Sequence, residues 1–227
     1  MLKVRFLGHS CFTLSDGTHT VVIDPFISGN PVCPVKAADL KVDGVLVSHG
    51  HSDHLGDAIP IAKRCGATIV ANHEIASFCA GQGAPAHGMH IGGARQFPFA
   101  WVKLTPAWHG SGIDYQGQMV YGGMPSGFVV RMGGRTVYHP GDTGLFGDME
   151  LIGRLHPLDL ALLPIGDNYT MGPDDAVEAV RMLKPKRVVP MHYSTFDLIK
   201  QDGAAFAKRL EGLAPCTVLK PGETLEL

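Results

Sequence analysis

The chain has no Cys-x-x-Cys pair, no block of charge of either sign, no low-complexity tract and no repeat of fixed period. Nor does any stretch approach the ~18 consecutive apolar residues that a membrane span needs. Each absence removes a class. The five cysteines, Cys11, Cys33, Cys65, Cys79 and Cys216, are odd in number and scattered, which suits free thiols in a reducing compartment rather than a disulfide framework. The net charge of -2, from 19 basic and 21 acidic residues, leaves no footprint for nucleic acid or an anionic membrane surface. A small-molecule substrate is the expected partner. Charges within Met1-Leu2-Lys3-Val4-Arg5-Phe6 interrupt what would be an apolar signal region, so a cytoplasmic location is expected. With no Ser-, Gln- or charge-rich linker, residues 1–227 are expected to form one domain.

What is present is a core-sized hydrophobic fraction of 45% and an excess of two residue types, 12 histidines and 29 glycines in 227 residues. Glycine permits the sharp turns of loops that carry ligands, and an excess of histidine asks for a metal explanation. Val4–Leu7, Cys11–Leu14 and Thr20–Ile23 read as a β-meander, with Asp16-Gly17 as a type I′ hairpin signal. From Asp43 strands alternate with helices. Strands are predicted at Gly44–Ser48, Ala67–Val70, Val102–Leu104, Gly127–Val130, Arg135–Tyr138, Leu160–Leu163, Val188–Met191 and Thr217–Leu219. Helices are predicted at Ala58–Arg64, His73–Ala80 and Pro173–Leu183, the last with Pro173 near its start and Asp174 and Asp175 in its first turn. Gly81–Gly93 and the Gly- and Met-rich Gly110–Pro125 read as long mobile loops. The pattern fits an α/β fold of two packed mixed sheets with helices outside, a four-layer αββα sandwich.

The chemistry concentrates in His49-Gly50-His51-Ser52-Asp53-His54, directly after a buried strand. His49, His51, Asp53 and His54 are all types that ligate zinc, manganese or iron. A random chain of this composition shows such a pattern about two times in a thousand. In an extended chain residues 49, 51 and 53 share one side and His54 points elsewhere, a divergence that suits two metal ions. His109, Asp142 and His192 each follow an apolar run at its C-terminal end, which predicts one shared rim.

In order and spacing these residues resemble the metallo-β-lactamase superfamily. The resemblance implies His49, His51 and His109 on a first metal, Asp53, His54 and His192 on a second, and Asp142 bridging. It implies Asp24 as the acid that supports the motif loop, although Asp24-Pro25 also reads as an ordinary turn. Leu7-Gly8-His9-Ser10-Cys11-Phe12, Gly166-Asp167-Asn168-Tyr169-Thr170-Met171-Gly172 and Met191-His192-Tyr193-Ser194-Thr195-Phe196 look like the small cytoplasmic metal-dependent hydrolases related to L-ascorbate-6-phosphate lactonase. That match places His9 near the metals for substrate binding or proton transfer, and Asn168, Tyr169 and Thr170 as substrate contacts. His9 also reads as a satisfied histidine between strands, and Asn168–Thr170 as a turn. Relatives often assemble, so a homo-oligomer is expected.

The implied reaction is hydrolysis of a small ester, lactone or phosphodiester by a water that two divalent cations ionise, with Asp53 as general base. His and carboxylate ligands suit Zn, Mn and Fe alike. Two other readings share the ligand set: an iron-dependent dioxygenase-type member of the same fold, and a metal-supported binding module that turns nothing over.

Overall fold

Side chains alternate across a strand, so a strand with two apolar faces must be covered on both. In Leu160-Ala161-Leu162-Leu163, Leu160 and Leu162 enter one buried cluster while Ala161 and Leu163 enter another. The computed structural model describes residues 1–227. Its strands are β1 (Lys3–Gly8), β2 (Cys11–Ser15), β3 (Thr20–Ile23), β4 (Gly44–Leu46), β5 (Thr68–Asn72), β6 (Ala86–Met89), β7 (Ala94–Gln96), β8 (Trp101–Pro106), β9 (Gly112–Tyr115) and β10 (Gln118–Tyr121). β11 (Ser126–Met132), β12 (Arg135–His139), β13 (Leu160–Pro164), β14 (Val188–Met191) and β15 (Thr224–Glu226) follow. The helices are α1 (Ser52–Leu55), α2 (Ala58–Cys65), α3 (His73–Gly81), α4 (Met149–Leu155), α5 (Pro173–Leu183) and α6 (Gly203–Arg209).

The first sheet has the order β15-β1-β2-β3-β4-β5-β6, the second β14-β13-β12-β11-β8-β7, and β9-β10 forms a separate two-stranded ribbon. Between the sheets lies a cluster that includes Leu14, Ile23, Leu46 and Val70 from the first and Leu104, Phe128, Val130 and Leu162 from the second. Outside the first sheet, Val45, Val47, Ile69 and Ala71 pack on Ile61 of α2 and Ile75 and Cys79 of α3. Outside the second, Val129, Tyr138, Ala161 and Leu163 pack on Met149 of α4, Val180 of α5 and Phe206 of α6. These are the four layers that alternation predicts. No helix is long and apolar enough to cross a membrane.

Strand direction explains why distant residues meet. β2 is antiparallel to both β1 and β3, and β4 is parallel to β3, so β1, β3 and β4 end on one edge. His9, Asp24 and His49 follow those ends. In the second sheet β11 is antiparallel to β8 and β12, while β13 and β14 run parallel to β12. The ends of β8, β12 and β14, which precede His109, Asp142 and His192, therefore share an edge too. Ser126 joins the two edges by donating from its N–H to the Ser48 carbonyl at 3.0 Å.

Several expectations need correction. The loop between β2 and β3 is no type I′ turn: it spans four residues, and the Asp16 carboxylate accepts from the N–H groups of Thr18 and His19. Gly81–Gly93 contains β6, a parallel edge strand whose Ala-His-Gly-Met sequence has no apolar period. Gly110–Pro125 contains the β9-β10 hairpin. Thr217–Leu219 makes no strand; the segment touches β14 through one bridge between Val188 and Cys216, and the paired C-terminal strand is β15.

Candidate metal centre

The six-residue motif changes conformation midway. β4 ends at Leu46, the chain continues to His51, and His51 caps the single helical turn α1 that carries Asp53 and His54. The expected extended alternation therefore fails after His51, because a helix rotates each residue by about 100°. The division falls between 51 and 53, not between 53 and 54. His49, His51 and His109 offer nitrogens that lie within 4.8 Å of one another. Asp53, His54 and His192 form a second such group, which His9 joins. His49, His54 and Asp142 form a third, so His49 and His54 each belong to two groups. Asp142 lies between them, with Oδ2 2.8 Å from His192 Nε2 and 3.7 Å from His109 Nε2, and Oδ1 3.3 Å from His54 Nε2.

Hydrogen bonds on the far side of the rings set the tautomers. Asp24 is fully buried, and its Oδ2 accepts from the Ser48 hydroxyl at 2.6 Å and from His54 Nδ1–H at 2.8 Å. Ser48 has spent its one hydroxyl proton on Asp24, so at 3.0 Å it must accept from His49 Nδ1–H. Both imidazoles therefore carry a proton on Nδ1. In neutral His49 this leaves the Nε2 lone pair aimed at the cluster, whereas His54, kept protonated by its carboxylate neighbours, would expose the same lone pair once a cation displaces its Nε2 proton. His9 receives the Thr195 hydroxyl on Nδ1 at 3.0 Å and donates from Nε2 to Asp53 Oδ2 at 3.1 Å. His139 is structural: its Nε2–H donates to the Ser10 carbonyl and its Nδ1 accepts from Gly141 N–H. His9, Asp24 and His192 all sit in the left-handed region, with φ of 59°, 46° and 50°.

Burial and the neighbouring charges together decide the charge states. It pushes His49 well below the usual imidazole value of 6.5, His9 down to about 4, and His51, His109 and His139 below 6.5. Burial also lowers His54, but Asp142 and Asp24 outweigh it and hold that ring well above 6.5. Burial would raise Asp53, Asp142 and Asp24, yet the neighbouring histidines outweigh it and keep all three carboxyls below the ordinary carboxylate range. A histidine that stays neutral when folded contributes stability above its unfolded value of about 6.5 and loses it as pH falls below. His54 does the reverse, contributing below about 6.5 and fading as pH rises through its folded value. The lowered histidines outnumber the raised one. The urea midpoint of metal-free protein is therefore expected to fall between about pH 7 and about pH 5; a midpoint that rises over that range would contradict this charge assignment.

The donor set fits divalent metal. His54 Nε2 and Asp142 Oδ1 are buried and 3.3 Å apart, yet neither has a hydrogen-bond partner. The two meet as an ion pair without hydrogen-bond geometry, and coordination to a shared cation would satisfy both atoms.

A cavity of about 320 Å³ opens on this cluster. Of the three residues expected to contact substrate, Tyr169 lines it. Asn168 and Thr170 do not: Asn168 is held by Asp167, and the Thr170 hydroxyl donates to the Met171 carbonyl. Asp114 and Met119, which the sequence reading missed, do line it. The hairpin that carries them is fixed by Ser111, whose hydroxyl accepts from Gly50 N–H and donates to the Gly122 carbonyl. Gly50 has no room for a side chain, since a Cβ would stand 2.6 Å from Ile113 Cγ1 and 2.7 Å from the Ser111 carbonyl. Gly50→Ala is expected to cost about 1–3 kcal/mol by overpacking, read as a lower urea midpoint with weaker metal retention.

The family described as the beta-lactamase superfamily domain matches residues 19–193. The chain belongs to this superfamily. It is 58% identical over 229 residues to a protein of Pelotomaculum thermopropionicum and 49% identical over 232 residues to one of Thermus thermophilus. Both are named UPF0173 metal-dependent hydrolases, and each match covers 100% of both chains. Among solved structures it is similar to Igni18, a metallo hydrolase of Ignicoccus hospitalis, with a TM-score of 0.89 and 38% identity over 100% of this chain and 99% of that one. The four-layer fold is that of the superfamily.

Proposed function

We propose that this chain is a hydrolase that holds two divalent cations and cleaves a small ester, lactone or phosphodiester. The carrying observation is the overlap of the donor groups: His49 and His54 each belong to two of them, Asp142 lies between, and the cavity opens on that point. His49, His51 and His109 would hold one cation, Asp53, His54 and His192 the other, and Asp142 both. When bound, such cations lower the pKa of a coordinated water toward ~7 and polarise the bond to be cleaved.

The protein's part is proton handling and positioning. Asp53 is ionised and partly exposed, which lets it take the proton of the attacking water. His9 holds that carboxylate by its Nε2–H, and Thr195 fixes the His9 tautomer. Asp24 and Ser48 hold the His49 and His54 rings from behind. Zn and Mn suit a purely hydrolytic site, and Fe would bring redox chemistry.

Elemental analysis with a chromogenic panel tests this. Two equivalents of Zn or Mn per chain, with hydrolysis of p-nitrophenyl esters or bis-p-nitrophenyl phosphate that chelation abolishes, is the expected result. Iron with oxygen uptake, or a folded, metal-replete protein that turns over nothing on the panel, would overturn it.

A further inference from the structure

The hairpin β9-β10 belongs to neither sheet, and its two faces differ. Ile113, Tyr115 and Val120 pack inward on the cluster around α2 and α3. Register pairs Met119 with Asp114 and Tyr121 with Gly112, so Gly112, Asp114, Met119 and Tyr121 share the other face. Met119 crosses Gly112 so closely that a Cβ there would collide with its Sδ. Gly112, Asp114 and Met119 all line the cavity. Tyr169, from the loop after β13, lines it as well. Met119 and Tyr169 are 74% and 56% exposed, so apolar surface stands open at the mouth of the cavity, where a ligand would cover it.

Apart from the cations that the cluster would hold, the charge at the mouth is one-sided. The ten lining residues include no Lys or Arg, and Asp114 is a carboxylate beyond the two at the cluster, Asp53 and Asp142. Beyond the reach of a metal ion, phosphate and carboxylate groups are ordinarily met by Arg, Lys or a helix N-terminus. Here a substrate whose reacting carbon sits at the cluster would carry its remaining arm past Met119, Tyr169 and Asp114. An apolar arm finds cover there, and an anionic arm finds a like charge.

Resting on the hydrolase reading, we infer that the substrate is an uncharged carboxylic ester or lactone with an apolar arm, and that Asp114 discriminates against arms that end in phosphate or carboxylate. In its hydrolysis the water oxygen bonds to the carbonyl carbon and the bond from that carbon to the alkoxy oxygen breaks. Asp53 takes one water proton and passes it to the leaving alkoxide. The acid so formed releases the other proton to solvent.

The test compares p-nitrophenyl hexanoate with the mono-p-nitrophenyl ester of adipic acid, equal in acyl length and different only in a terminal carboxylate. The metal-loaded protein is expected to favour the hexanoate by at least about tenfold in kcat/KM. The preference shrinks in about 1 M salt, and Asp114→Lys shifts the ratio toward the adipate ester by about tenfold. Met119→Ala and Tyr169→Ala are expected to raise KM for the hexanoate more than they lower kcat, with bound metal unchanged by elemental analysis. Equal rates on the two esters, or a ratio that Asp114→Lys does not move, would overturn the inference. Cleavage of bis-p-nitrophenyl phosphate with neither ester cleaved would also overturn it, while leaving the hydrolase reading intact. Absence of any turnover by folded, metal-replete protein would remove the hydrolase reading and this inference with it.

Discussion

Asp53→Asn is expected to lower kcat by about 10²–10⁴-fold, the range for loss of a general base, with the fold unchanged. The substitution keeps size and an oxygen that can accept from His9 Nε2–H, which now lies 3.1 Å from Asp53 Oδ2. It removes the charge that would accept a proton from water and weakens one of the side chains proposed to hold the second cation, so bound metal is measured beside the rate. Asp53 is only partly buried, with 29% of its side chain exposed, so the change leaves no deep cavity and no buried orphan. His9→Gln tests the neighbour: it removes the ring that spans Thr195 and Asp53, and a smaller loss is expected, since the base itself remains. Steady-state kinetics beside circular dichroism and metal analysis separates these outcomes. If Asp53→Asn keeps bound metal and nearly the full rate, the proton goes elsewhere.

The second large effect is structural. Asp24→Ala is expected to destabilise the metal-free protein by about 3–5 kcal/mol, because it breaks a buried ion pair and leaves one charge without its partner. Asp24 and His54 are both fully buried and 2.8 Å apart. The Ser48 N–H, which donates to Asp24 Oδ1 at 2.8 Å, would also lose its acceptor. The same substitution frees the far side of two rings, and about 10–100-fold weaker metal binding is expected. Asp24→Asn keeps an acceptor for Ser48 but not the charge, and should fall between. Urea denaturation and chelator competition measure the two effects separately. An Ala variant that unfolds at the wild-type midpoint would show that the carboxylate is not what holds this corner.

The sequence revealed the candidate site better where metal-ligating residue types cluster along the chain or follow buried strands. His49, His51, Asp53 and His54 are adjacent in sequence, and His109, Asp142 and His192 each follow a strand whose apolar run is plain. Tertiary direction, set by antiparallel β2 and β11, then brings both edges together. The path within the motif was misread, because nothing in Ser52-Asp53-His54-Leu55 distinguishes one helical turn from extended chain. The cavity wall was missed for a different reason. Gly110–Pro125 is dense in glycine and methionine and reads as loop, yet Ile113 and Tyr115 carry the two-residue period of a half-buried strand, and Val120 on the partner strand stands opposite Ile113. Short parallel edge strands such as β6 have too little apolar pattern to find, and α4 and α6 fall in stretches where no helix was expected.

Because β9-β10 pairs with no strand of either sandwich layer, its outward positions and its Gln116-Gly117 tip can be exchanged without disturbing a sheet ladder. On the proposed reading, recognition and bond-breaking would thus be housed in separable modules. A library grafted between Ser111 and Gly122, the two residues that clamp the ribbon's base, would vary what is admitted while the ligand cage stays constant. Natural diversification of the same scaffold has that route open to it.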